Sequence, residues 1–101
     1  MPSFRAQLNI TGLKPGTLPE AVMETAVAAL GASHHVEAHQ LDIVGGIPRI
    51  TLRFMVPDNE WTQENSQAKR AAANMRHAVE GIADAERLRV LRRQRGQWVP
   101  L

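Results

Sequence analysis

Ile50, Leu52, Phe54 and Val56 alternate with Thr51, Arg53 and Met55 inside the run Ile47-Pro-Arg-Ile-Thr-Leu-Arg-Phe-Met-Val-Pro57. That is the period of a strand with one buried face. Gly45-Gly46 just ahead of it reads as a two-residue hairpin turn, so the residues before it should return antiparallel. The same alternation over residues 4–10 sets Phe4, Ala6, Leu8 and Ile10 against Arg5, Gln7 and Asn9 and predicts a first strand. Between these strands, Leu18, Val22, Ala26, Ala29 and Leu30 recur at helical spacing, with Thr17 and Glu20 as a capping box and Gly31 as a stop. A second helix is predicted over 60–81, capped by Asp58 or Thr62. Ala68, Ala71, Ala72, Met75, Ala78, Val79 and Ile82 make a narrow apolar stripe that can lie close on a sheet.

Two stretches are ambiguous. With Gly45-Gly46 as the turn, Asp42 lies opposite Arg49, Leu41 opposite Ile50 and His39 opposite Leu52. Leu41 and Ile43 then share the core side with His39, Glu37 and His35, and a bulge near His39-Gln40 would restore the parity. In residues 86–94, Leu88 and Val90 alternate with Arg87 and Arg89 as in a strand, although Asp84 and Gly96 would equally frame a short basic helix. The strand is preferred because it gives the first strand a partner. The resulting order resembles the ferredoxin-like split βαβ arrangement, βαββαβ. It implies an α+β domain with a four-stranded antiparallel sheet, both helices on one face, and the first and third strands central. One domain then covers residues 1–101, with 97–101 as a docking tail. The resemblance is one of fold shape, which hosts many activities and names none.

Composition narrows the class. A chain of 101 residues with 44% hydrophobic and 22% charged side chains can build one ordinary globular core. It has no cysteine, which excludes disulfides, thiolate metal sites and cysteine catalysis. No apolar run approaches the roughly 20 residues that span a bilayer, and the first residues lack a signal peptide's apolar core; a cytoplasmic protein that does not bind membranes is expected. The net charge of +2 is uneven: residues 1–60 carry six acidic and four basic side chains, and residues 61–101 four acidic and eight basic. The basic excess lies in Arg87, Arg89, Arg92, Arg93 and Arg95.

Candidate chemistry is sparse. His35 and His39 would stand about 13 Å apart on a strand at roughly 3.3 Å per residue, too far to share a zinc ion bound at about 2 Å. No metal is expected. The loop Gly12-Leu-Lys-Pro-Gly16 lacks the spacing of known phosphate and dinucleotide loops, so no cofactor is expected either. Ser3, Ser33 and Ser66 come with no base, and paired carboxylates are not evident. These features point to a non-enzymatic binding protein. The functional lead is the open sheet face, with Arg5, Arg49, Arg53, Arg87 and Arg89 around Gln7, Asn9 and Thr51, and Asp42 as counter-charge. Guanidinium groups suit carboxylate and phosphate, so the partner would be an acidic protein or a nucleic acid. Phe4 and Phe54 lie on the helix side, which removes the usual base-stacking groups and makes any nucleic-acid binding sequence-tolerant. A merely solvated face is the plain alternative. Leu41 and Ile43 on an edge strand, with Trp98 and Leu101 in the tail, suggest a homodimer and a second reading as a self-assembling subunit.

Overall fold

The computed structural model describes residues 1–101. The chain forms β1 (Ser3–Leu13), α1 (Pro19–Gly31), β2 (His35–Val44), β3 (Ile47–Met55), α2 (Trp61–Glu80), β4 (Ala83–Gln94) and β5 (Gln97–Pro100). The expected four-stranded βαββαβ architecture is not what the chain builds. Its sheet has five strands in the order β2-β3-β1-β4-β5, every pair antiparallel. The extra strand comes from the supposed docking tail. Arg95 and Gly96 both take positive φ, 49° and 78°, the geometry of a tight hairpin turn, and Gln97 returns opposite Gln94.

Gly45 and Gly46 make the other hairpin in the same way, with φ of 60° and 80°. Here β2 meets β3 in the expected register, Asp42 opposite Arg49, Leu41 opposite Ile50 and His39 opposite Leu52. The bulge falls at Glu37 and not at His39-Gln40, because the shift lies between Val36 and Ala38. Val36 can then pack against the core. The Glu37 carboxylate accepts a hydrogen bond from Ser3 Oγ at 2.9 Å and lies 3.6 Å from Arg53 Nε. His39 needs no parity repair, since β2 is an edge left largely uncovered and its histidine stays exposed. A second bulge, at Arg87 with φ 58°, breaks the simple alternation expected of β4.

The helices also begin differently from the sequence expectation. Leu18 and Glu60 occupy the N-cap positions without side-chain caps, so neither Thr17 nor Asp58 or Thr62 plays that part. Pro19 opens α1, where its fixed φ suits the first turn and its missing N–H costs nothing. Gly31 remains helical and Ala32 is a right-handed C-cap. Both helices pack on one face of the sheet. Val22, Ala26 and Leu30 of α1 and the alanine-rich stripe of α2 join the inward side chains of β1 and β3 in one core of 17 residues. The rings of Phe4 and Phe54 lie at its centre, 6.0 Å apart.

One charged pair enters this apolar layer. Arg92 stands opposite Phe4 on the helix side and is only 7% exposed. Its guanidinium donates to Glu64 Oε1 at 2.8 Å and to Asn65 Oδ1 at 2.9 Å, and lies 3.7 Å from the centre of the Trp61 ring. Arg92 is therefore a structural cation tying β4 to the start of α2, and no member of a solvated terminal cluster. Glu64 also accepts the Asn59 backbone N–H at 2.9 Å, and this bond, followed by the Arg92 contact, holds its carboxyl below the ordinary 4.5. A depressed folded-state pKa adds stability above the unfolded value that disappears as pH falls through the folded one. Glu64→Gln should therefore lower Tm at neutral pH, and the gap from wild type should narrow steadily below pH 4.5. A gap independent of pH in thermal melts would show that the carboxylate charge contributes nothing.

Candidate anion-binding face

Unbulged pairing of β1 with β3 puts Arg5 opposite Arg53, Gln7 opposite Thr51 and Asn9 opposite Arg49, all on the face away from the helices. Arg89 joins them from β4, opposite Gln7. Arg49 donates to Asn9 Oδ1 at 3.0 Å. Arg87 does not belong to this row by alternation, since it is the bulged residue, and its side chain is exposed. Of the five arginines singled out in the sequence, four share the open face by register and one stands at its margin.

The hairpin to β5 adds two residues that sequence reasoning assigned elsewhere. Arg93 pairs with Trp98 across β4 and β5, and three guanidinium groups lie close to the indole. Arg5 is 4.2 Å from the ring centre, Arg53 5.2 Å and Arg93 5.3 Å. Trp98 is thus not a free docking residue. Leu91, opposite Arg5 and Pro100, is 7% exposed yet lies outside the main core. It forms a small apolar footing on the open face. Leu101 is held too, its N–H donating to the Val90 carbonyl at 2.9 Å. Leu41 and Ile43 lie on β2, separated from β5 by three strands at the opposite edge of the sheet, so the four candidate oligomer residues do not form one surface.

A cleft of about 90 Å³ opens on this face, lined by Arg5, Ala38, His39, Gln40, Thr51 and Arg53. Thr51 is 5% exposed, and its Oγ1 has no hydrogen-bond partner. Arg53 Nε and Gln7 Oε1 are likewise buried without one. The Glu37 carboxylate near Arg53 is at ion-pair distance and too far for a hydrogen bond. Arg5, Arg89 and Arg93 make no ion pair within 4 Å. Like charges directly opposite each other across two strands are destabilising, and Arg5 against Arg53 is such a pair. Trp98 and Glu37 offset part of that cost. An oxyanion seated between the two guanidiniums would remove more and give Thr51 its partner.

The histidines build nothing comparable. His34 lies edge-on to Phe54 at 5.9 Å with Nδ1 2.7 Å from Ser33 Oγ, and no three His, Cys, Asp or Glu side chains stand together. No helix is long and apolar enough to cross a membrane. A larger apolar groove of about 350 Å³ lies on the helix side between α1 and the sheet and has no charged lining residue.

Trp98→Ala should cost about 1 kcal/mol from the missing cation–π attraction alone, read as a fall in the denaturation midpoint. Stability unchanged by the substitution would mean the ring is only resting on the arginines. Comparison with known proteins finds no family model, no curated protein and no solved structure that matches this chain.

Proposed function

We propose that this is a non-enzymatic binding module whose open sheet face takes an anionic partner, the phosphate chain of a single-stranded nucleic acid. The observation that carries the reading is the cleft between Arg5 and Arg53 with the buried, unpartnered Thr51 hydroxyl at its base. Two planar guanidiniums and a hydroxyl match the acceptors of a phosphate group. Arg49 and Arg89 extend the same chemistry along the face. Trp98 already holds the guanidiniums of Arg5, Arg53 and Arg93, so binding rests on phosphates and tolerates sequence. A cytoplasmic setting belongs to the same proposal. An acidic protein surface is the competing occupant, because carboxylates suit the same donors.

A gel-shift series with unrelated single-stranded oligonucleotides tests this. Binding is expected at about 50 mM salt and should weaken steeply as salt rises. The double variant Arg5→Ala/Arg53→Ala should flatten the salt slope by about 1.4, roughly 0.7 for each single-strand phosphate that is no longer neutralised, with circular dichroism confirming the fold. No shifted band at low salt for any oligonucleotide ends the nucleic-acid reading. Retention on an acidic peptide column that nucleic acid does not displace would identify the protein partner instead.

A further inference from the structure

Leu13, Leu18, Leu41, Ile43, Val44 and Ile47, six of the nine large apolar side chains left exposed on the molecule, belong to the end of β1, the start of α1 and the β2–β3 hairpin. Leu13 and Leu41 line the groove between α1 and the sheet, which continues past Met23 along α1 into a second hollow of about 330 Å³ lined by Met23, Glu24, Val27, Ala28 and His39. Leu41 is 61% and Ile43 65% exposed, on an edge strand with no lysine, arginine or proline to discourage pairing.

The backbone of β2 says what this edge can take. Val44 and Ile47 flank the two-residue turn as its closing hydrogen-bonded pair. Hydrogen-bonded and non-bonded pairs alternate from there, so Ile43, Leu41 and His39 are the non-bonded ones. Pro48, opposite Ile43, agrees, having no N–H to give. The N–H and C=O groups of residues 39, 41 and 43 are therefore directed outward, evenly spaced about Leu41. Such a set is complementary to itself when reversed.

We propose that β2 pairs antiparallel with β2 of a second copy of this chain about a two-fold axis at Leu41. Leu41 then faces its own counterpart, and Ile43 of each copy faces His39 of the other. Ile43 would thereby reach the hollow beside Met23 and Val27. Charge selects this register over its neighbours. A slip to an axis at Asp42 would set two carboxylates directly against each other, which is destabilising. A slip to Gln40 would set Glu37 against Ile43. With the axis at Leu41, Asp42 of one copy faces Gln40 of the other, repeating a pairing the chain already makes, where Gln40 Nε2 donates to Asp42 Oδ2 at 2.8 Å. The apolar contacts of this interface lie on the helix side, while its Asp42–Gln40 contacts lie on the open face beside the anion cleft, which Gln40 helps to line.

The test is mass in solution by light scattering on the full chain, with the variants Leu41→Lys and Leu41→Glu. Wild type is expected as a dimer and each variant alone as a monomer, since like charges would meet on the axis. An equimolar mixture of the two should recover the dimer, because lysine then faces glutamate. A monomeric wild type at high concentration, or a Leu41→Lys variant that remains dimeric, overturns the proposal; a mixture that stays monomeric overturns the register. Should Leu41→Lys fail to fold by circular dichroism, Ile43→Pro serves instead. It removes an outward N–H that β3 does not use, and a folded Ile43→Pro dimer would equally overturn the proposal.

Discussion

β1 and β3 pair without a bulge from Ser3 and Met55 to Asn9 and Arg49, and the period of two then commits every side chain on both strands to one face. Because the register is unbroken, placing Phe4 and Phe54 against the helices obliges Arg5 and Arg53 to meet on the other side. A one-residue slip of either strand would turn its arginine into the apolar layer under the helices and expose its phenylalanine. The apolar core and the basic face are thus two consequences of one pairing, and neither can be moved without the other.

The flanking strands are less regular, and each departure has a local use. At Glu37 the bulge returns Val36 to the core and leaves a carboxylate beside Arg53. At Arg87 it inserts a residue between Glu86 and Leu88, so that Leu88, Val90 and Arg92 can face the helices while Arg89 and Arg93 face outward. Arg92 in that position would be costly alone, but Glu64, Asn65 and the Trp61 ring receive it. Glu64 in turn accepts the Asn59 N–H, so one ion pair also orders the approach to a helix that has no side-chain cap.

Strong periodicity made the central strands, both helices and the Gly45-Gly46 register legible in the sequence, including the arginines at 5, 49 and 53. The fifth strand was not legible. Its turn uses Arg95 where hairpins favour asparagine or glycine, and four residues ending at Pro100 carry too little alternation to stand out. Missing that turn concealed the most distinctive part of the site, because Trp98 reaches Arg5 and Arg53 only when the chain folds back beside β4. The side of Arg92 was hidden as well. Its partner Glu64 lies 28 residues earlier, and a buried ion pair leaves no local pattern to read. Bulge positions depend on contacts between strands, which is why parity alone put one near His39 and found none at Arg87.

The two edges of the sheet differ in a way that connects the two proposals. β5 is short, ends in proline and lies next to Arg93 and Arg95, which are natural obstacles to further pairing. β2 has its bulge at Glu37 but no proline, lysine or arginine. Its outer side nevertheless adjoins the anion cleft, since Ala38 and Gln40 line that cleft together with Arg5 and Arg53. In a pair centred on Leu41, the two Arg53 residues would stand three strand spacings apart across the sheet, about 14 Å, and six residues apart along it, about 20 Å. A single phosphate or a short acidic side chain cannot bridge such a span. A flexible polyanion can, and its second contact would form at the effective concentration set by the first. Pairing at the apolar edge would thus favour extended ligands over small anions without adding any contact to either cleft.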